Sequence, residues 1–177
     1  MYPVIRLVKE TLKFRGKPLG LFETHHSQHR CWPWDLDPWN ELNNGRTLTL
    51  YDLGRVPFAT RIGITAILRS QRWGMTVAGS SVRYRRRIRM FQRIEMQSRV
   101  LGWDHRFIYI EQSMWRGDEA LNHVLLRTAV TSAEGIVSPA KMVAAMGQAG
   151  LESPALPDWV QAWIAADAGR PWPPARD

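Results

Sequence analysis

The 177-residue sequence predicts an α+β domain in which a curled antiparallel sheet of about five strands surrounds one long central helix. Three observations predict it. Helical periodicity long enough for a core helix occurs once, from Asn44 to about Ile62. Strand-like alternation then runs from Trp73 to about Glu134, with breaks near Met90 to Gln92, at Gly102 to Asp104 and at Gly117 to Asp118. Those breaks are too short for parallel crossovers, so neighbouring strands pair as antiparallel hairpins.

Taken in order, residues 1–14 place Tyr2, Val4, Ile5, Leu7 and Val8 around Arg6 and Lys9, which reads as a basic amphipathic helix. It is expected to pack on its own domain or on a dimer partner, with peripheral membrane contact as the alternative. Leu21 to Trp34 fits an extended segment ending at Pro33. In the central helix Leu48, Tyr51, Phe58 and Ile62 keep helical spacing, reinforced by Leu50 and Leu53, so it should be largely buried. Pro57 removes a backbone donor inside that pattern and predicts a kink or a break into two helices.

Four strands follow. Ile94, Met96, Ser98 and Val100 alternate with Glu95, Gln97 and Arg99, and Phe107, Tyr109 and Glu111 alternate with Ile108 and Ile110. Ser138-Pro139 is a cap and first-turn pair for a helix to about Met146, closed by Gly147 or Gly150. Asp158 to Ala166 predicts a short helix presenting Trp159, Val160 and Trp163, before a Pro-rich tail. Residues 1–150 therefore form one domain that includes the N-terminal segment, and 151–177 a C-terminal extension.

The composition, 45% hydrophobic and 23% charged, belongs to a globular chain and excludes disordered and fibrous classes. The net charge of +8 comes almost wholly from arginine, the lysines being Lys9, Lys13, Lys17 and Lys141. Arginine suits bidentate contacts to phosphate and carboxylate, so an anionic partner is expected, without a choice among nucleotide, nucleic acid and membrane. A lone cysteine, Cys31, leaves no internal disulfide and fits a reducing compartment. With no apolar core of signal-peptide length and no run near the roughly 20 residues of a membrane span, the expected location is cytoplasmic.

The acidic run Trp34-Asp35-Leu36-Asp37-Pro38-Trp39-Asn40-Glu41-Leu42-Asn43-Asn44 delivers carboxylates to the start of the long helix. Backbone amides point outward there, and the helix dipole is positive. A carboxylate beside such donors can attack a carbonyl, or direct water onto it, while the amides hold its oxygen. The plainer role for Asp37 is an Asp-Pro turn or a cap, and Asn43 and Asn44 are natural caps. Asp35 points to the same side as Asp37 in an extended segment, and two close charges are costly, so Asp35 reads as structural.

This run resembles the Asp-x-Asp-x-x-Gly-His-Val-Asn-Asn motif of hotdog-fold acyl-CoA thioesterases of the 4-hydroxybenzoyl-CoA thioesterase-like group. Val82-Arg83-Tyr84-Arg85-Arg86-Arg87-Ile88 looks like the strand after the central helix of that group, and the likeness spans roughly Phe22 to Gly147. The resemblance implies a hotdog fold and hydrolysis of an acyl-CoA thioester. Asp37 would be nucleophile or general base, with an amide near Asn44 polarising the carbonyl. It also implies a homodimer or homotetramer with the site between subunits. Asn40 stands at the motif's Gly, where asparagine is the next most tolerant of positive backbone angles. Glu41 stands at its His, adding a negative charge near the site that works against an anionic substrate.

Further candidates concern substrate binding. Arg83, Arg85, Arg87 and Arg89 fall on one side of a strand by period two, either to grip coenzyme A phosphates or to protect an edge strand. Asn43, Trp39 and Tyr51 join Arg83, Arg85 and Arg87 as the substrate-binding set; Trp34 and Trp39 bracket the acidic motif as walls for an acyl group. Ser80, Ser81, Glu111 and Ser113 are polar strand residues that could reach a pocket. His25 and His29 would lie about 13 Å apart in a strand, so neither they nor His26 and Cys31 are read as a metal site, and no cofactor is expected. The alternatives to a thioesterase are a hotdog protein that binds acyl or CoA groups without turnover, and a basic nucleic-acid-binding domain with Tyr84, Phe91 or Trp73 stacking on bases.

Overall fold

The structure, a computed structural model, describes residues 2–176. Helix α1 spans Val4–Lys13, strand β1 His25–Arg30, the long helix α2 Asn44–Arg61 and helix α3 Ile64–Gln71. Strands β2 (Gly74–Tyr84), β3 (Arg93–Trp103), β4 (Ile108–Arg116) and β5 (Glu119–Ser132) follow, then the short β6 (Gly135–Val137) and helices α4 (Pro139–Ala145) and α5 (Asp158–Ala168). The five main strands form one antiparallel sheet in the order β1-β3-β4-β5-β2, and β6 folds back on the end of β5. The three turn regions expected between the later strands all separate strands in the structure.

Alternation decides which side of the sheet each residue serves. Ile94, Met96 and Val100 of β3, Ile110 of β4 and Val124 and Leu126 of β5 face inward and join one core cluster with Leu50, Tyr51, Leu53 and Phe58 of α2. Burying one such side chain stabilises by about 1.5–3 kcal/mol. The helix comes close to the sheet at Gly54, where a β-carbon would sit 2.5 Å from Met96 Sδ and 3.1 Å from Ser98 Oγ. The opposite face is covered by α5, whose Val160 is buried against Tyr109 and Leu125.

Several expectations shift in detail. Pro57 lies inside an unbroken α2; the chain breaks instead at Gly63, whose φ of 85° permits the left-handed turn into α3. The extended segment pairs only over His25–Arg30, and Pro33 opens a short 3₁₀ turn, Pro33–Asp35. The N-terminal segment does form a helix, and α1 packs along α2, with Arg6 paired to Asp35 and Tyr2 donating to Asp52 Oδ2 at 2.9 Å.

The arginine row is not on one strand face. Strand β2 ends at Tyr84, and the amides of Arg85 and Arg86 both donate to the carbonyl of Leu121, at 3.0 Å each. Two consecutive amides on one acceptor break the alternation, so Arg85, Arg87 and Arg89 lie beyond the strand. Among the described residues no helix is long and apolar enough to cross a membrane.

Candidate active site at the start of the long helix

The loop before α2 is assembled from its two aspartates. Asp35 is fully buried; Arg46 Nε donates to its Oδ1 at 2.7 Å, while Arg6 Nη1 and the Trp32 amide donate to Oδ2 at 2.8 and 3.0 Å. Burial alone would raise its pKa, yet the hydrogen bonds from Arg46, Trp32 and Arg6 hold the carboxyl below the usual carboxylate range. Its backbone carbonyl accepts from the Asn43 amide at 3.0 Å. Asp35 thus ties α1, the loop and the first turn of α2 into one unit.

Asp37 is half-buried and organises the next turn. Its Oδ1 accepts from the amides of Trp39 (2.9 Å) and Glu41 (3.3 Å), and its backbone exchanges hydrogen bonds with Asn40 and Glu41. Among the described residues its Oδ2 has no hydrogen-bond partner. Asn40 closes the turn with φ of 63°, the positive angle that its position in the motif requires.

Asn43 caps α2, its side chain accepting from the Arg46 amide at 3.0 Å and its carbonyl from the Thr47 amide at 2.9 Å. The amides of Asn44 and Gly45 remain as first-turn donors with no intrahelical acceptor. Asn44 borders a cleft of about 180 Å³ that is also lined by Thr47, Glu41, Tyr84, Arg85 to Ile88 and Asn122. Glu41 lines it, and Arg87 Nε stands 2.9 Å from Glu41 Oε2. The charge that Glu41 adds in place of the motif's histidine is therefore countered by an arginine from the segment after β2. Tyr84 donates to the Asn44 carbonyl at 3.1 Å, which fixes that segment over the helix end.

The other candidates are distributed around this point. Tyr51 is buried beneath the cleft and donates to Asn122 Oδ1. Its hydroxyl is held well above the usual tyrosine pKa, first by burial. Trp39 is 78% exposed and lines a neighbouring recess with Asn40, Glu41, Arg87 and Arg89. Arg83 and Arg85 line a larger cleft of about 550 Å³ on the outer face of the sheet, with Ser81, Glu111, His123 and Trp159. Arg85 and Asn122 border both this cleft and the one at the helix end, so the two adjoin.

In the outer cleft His123 Nε2 donates to Glu111 Oε1 at 2.9 Å, and Arg99 Nε donates to Oε2 at 2.7 Å. Arg83 and Arg85 have no carboxylate partner among the described residues. Asn122 and His123 escaped sequence reasoning, in which Trp159 reads only as a residue of the last helix. Their only signal was a polar pair, Asn122-His123, inside an otherwise apolar strand, and the bulge near Ala120 obscured which way each would face.

His25 and His29 are buried apart. Arg61 Nη1 donates to His25 Nδ1 at 2.8 Å, and His29 Nε2 hydrogen-bonds Ser27 Oγ at 2.9 Å. Burial pushes the Cys31 thiol up to about 11, with the Asp35 carboxylate adding to the effect, which makes it a poor nucleophile. No cluster of three or more histidine, cysteine or carboxylate side chains suited to a metal occurs among the described residues.

The sequence pattern of the thioesterase-like superfamily matches residues 31–164. The chain belongs to that superfamily. It is 32% identical over 164 residues to Protein THEM6 of Xenopus laevis, covering 90% of this chain and 77% of the relative. It is 25% identical over 130 residues to Protein THEM6 of Danio rerio, covering 73% of this chain and 63% of the relative. Among solved structures it is similar to the probable thioesterase YbaW of Escherichia coli (TM-score 0.64, 12% identity, 70% of this chain and 97% of that one). A Staphylococcus aureus protein, SAV2348, solved in complex with CoA, is also similar (TM-score 0.63, 7% identity, 81% and 96%). The superfamily fold is the hotdog: the curled antiparallel sheet with a long helix across its inner face matches these structures.

Proposed function

We propose that the protein is an acyl-CoA thioesterase, hydrolysing an acyl-CoA thioester to the free acid and coenzyme A. The observation that carries this reading is the meeting, at one helix end, of a carboxylate-bearing loop and two first-turn amides without intrahelical acceptors. The Asn44 or Gly45 amide holds the thioester carbonyl oxygen as it gains charge. Asp37, through Oδ2, activates a water molecule by taking its proton, or attacks the carbonyl carbon itself. The tetrahedral intermediate collapses with loss of the thiolate, which takes up a proton as coenzyme A; in the direct-attack route the mixed anhydride left on Asp37 is then hydrolysed by water, which releases the acid and restores the carboxylate. Arg83 and Arg85, lacking carboxylate partners, bind the phosphates of the nucleotide end in the outer cleft, and Trp159 offers an aromatic face beside them. Asn43 and Tyr51 act through position, as the helix cap and as the support of Asn122.

The protein acts as a homodimer in this reading. Strand β2 is an edge strand of 11 residues, and a second copy pairing along it would satisfy its open backbone groups. The CoA-complexed structure with the same fold supports a CoA-type ligand, and the chain is expected to work in the cytoplasm or at a membrane facing it.

A second reading has a specific observation behind it: Glu41, not Asp37, borders the cleft with Asn44. It makes Glu41 the base. Hydrolysis of a panel of short, long and aromatic acyl-CoAs, followed by thiol release, tests the activity. The expected result is turnover of at least one class; binding of CoA esters with no thiol release from any would leave a non-catalytic binder instead.

A further inference from the structure

Helix α1 turns Arg6 and Glu10 inward together with Leu7, and leaves most of its apolar residues outward. Arg6 reaches the Asp35 carboxylate and the Arg30 carbonyl, Glu10 is buried, and Leu7 packs on the core. Ile5 is 86% exposed, and Val4, Val8 and Leu12 are each more than half exposed. Their spacing puts them along one side of the helix. Trp34, 67% exposed, stands beside them across a groove of about 830 Å³ that Val4, Ile5 and Leu36 also line. A contiguous apolar surface of this kind marks a docking site.

A second observation says what docks. Along the other flank of α1 lies a cleft of about 500 Å³ lined by Arg6, Lys9, Lys13, Arg30 and Arg93, with Glu10 as its one carboxylate. Arg30 and Arg93 are directly opposite one another in the β1–β3 pairing, an arrangement of like charges that costs stability. Lys13 is 3.8 Å from Glu10, but Lys9, Arg30 and Arg93 have no carboxylate partner among the described residues. An apolar helix face bordered by unneutralised cations is complementary to a surface that is apolar within and anionic outside. A second copy of this chain is a poor occupant, because it would bring the same cations face to face.

We propose that α1 docks the protein on an anionic phospholipid bilayer, with Val4, Ile5, Val8, Leu12 and Trp34 entering the headgroup–acyl boundary and a lipid phosphate lying in the Lys9–Arg30–Arg93 cleft. The groove beside Trp34 reaches the first turn of α2 at Asn43, Arg46 and Thr49 but shares no lining residue with the Asn44–Glu41 cleft, so vesicle binding can be read without the proposed hydrolase activity.

Co-sedimentation of the full chain with phosphatidylcholine vesicles, and with vesicles of equal parts phosphatidylcholine and phosphatidylglycerol, tests this. Pelleting is expected with the mixed vesicles only. Ile5→Glu combined with Val8→Glu should weaken it by about tenfold or more, since burial of each aliphatic side chain is lost. Lys9→Gln combined with Arg93→Gln should weaken it and flatten its salt dependence. All four positions are on the surface, so melting temperatures should stay near the parent's. Absence of pelleting, or pelleting that the Ile5 and Val8 changes leave intact, overturns the proposal. So does a dimer that Ile5→Glu converts to monomer without vesicles, which would make the face a protein interface. Thermal stabilisation by inorganic phosphate with no vesicle binding would assign the cleft to a free anion and overturn it as well.

Discussion

Asp35 and Asp37 lie two positions apart, and their surroundings give them different work. Asp35 accepts from two guanidinium groups and a backbone amide while fully buried, so removing its carboxylate takes a buried counter-charge from Arg6 and Arg46. Removing one side of a buried ion pair typically costs about 3–5 kcal/mol. Asp35→Ala should therefore lower the unfolding free energy by about 3 kcal/mol in urea titration, a figure at the low end because both arginines keep some solvent contact. Asp37 retains an oxygen outside the turn. Asp37→Asn keeps the Oδ1 acceptor and should leave the melting temperature within a degree or two, about the range of a conservative surface change. The crowding of two carboxylates was enough to mark Asp35 as structural from the sequence. Its partner Arg6 was not legible, because it comes from a helix that is remote in sequence.

At the scale of elements, α2 shows both what patterning reveals and what it hides. Leu50, Leu53 and Phe58 declared the helix through their spacing, and Asn43 declared its start as a cap. Pro57 misled as to a break, because a proline ends a helix only where the freed carbonyl and ring cannot be accommodated, and here the helix continues through it. Gly54 was silent in the sequence, since its role depends on the approach of β3. Gly54→Ala places a methyl against Met96, and overpacking of this kind costs about 1–3 kcal/mol, more than alanine's helix preference returns. Its midpoint of chemical unfolding should fall below the parent's; a rise would mean that α2 has room to withdraw from the sheet. The strands were legible from period two and their turns, whereas the register that brings Asn122 to the helix-end cleft depends on a bulge between Met114 and Trp115 that alternation does not announce.

For the molecule as a whole, two buried histidines tie stability to pH. Burial, reinforced by Arg61, lowers His25 from 6.5 to about 4, and burial, reinforced by Arg6, lowers His29 to about 3. Both are neutral in the fold and protonate more easily once it opens. Their contribution is whole above the unfolded value of 6.5 and is lost as pH falls through 4 toward 3. The unfolding temperature should drop steeply below pH 6.5, and His29→Gln should reduce that slope even if it lowers stability at neutral pH. A parent protein equally stable at pH 7 and pH 4 would show that the two rings are not buried neutral. Assembly belongs to this scale too. If copies pair along β2, Val77→Glu, which puts a charge on a half-exposed position of this edge strand, should yield a monomer in analytical ultracentrifugation, while a dimer that survives the change would place the interface elsewhere.

The account turns on which carboxylate acts at the start of α2. Single-turnover thiol release from an acyl-CoA, compared among the parent, Asp37→Asn and Glu41→Gln at equal folded concentration, is its most direct test. The prediction is a loss on the order of a hundredfold or more in Asp37→Asn and a change of only a few-fold in Glu41→Gln, whose partner Arg87 is released to the cleft. Full activity in Asp37→Asn, with the large loss appearing in Glu41→Gln, would contradict the assignment and move the chemistry to Glu41.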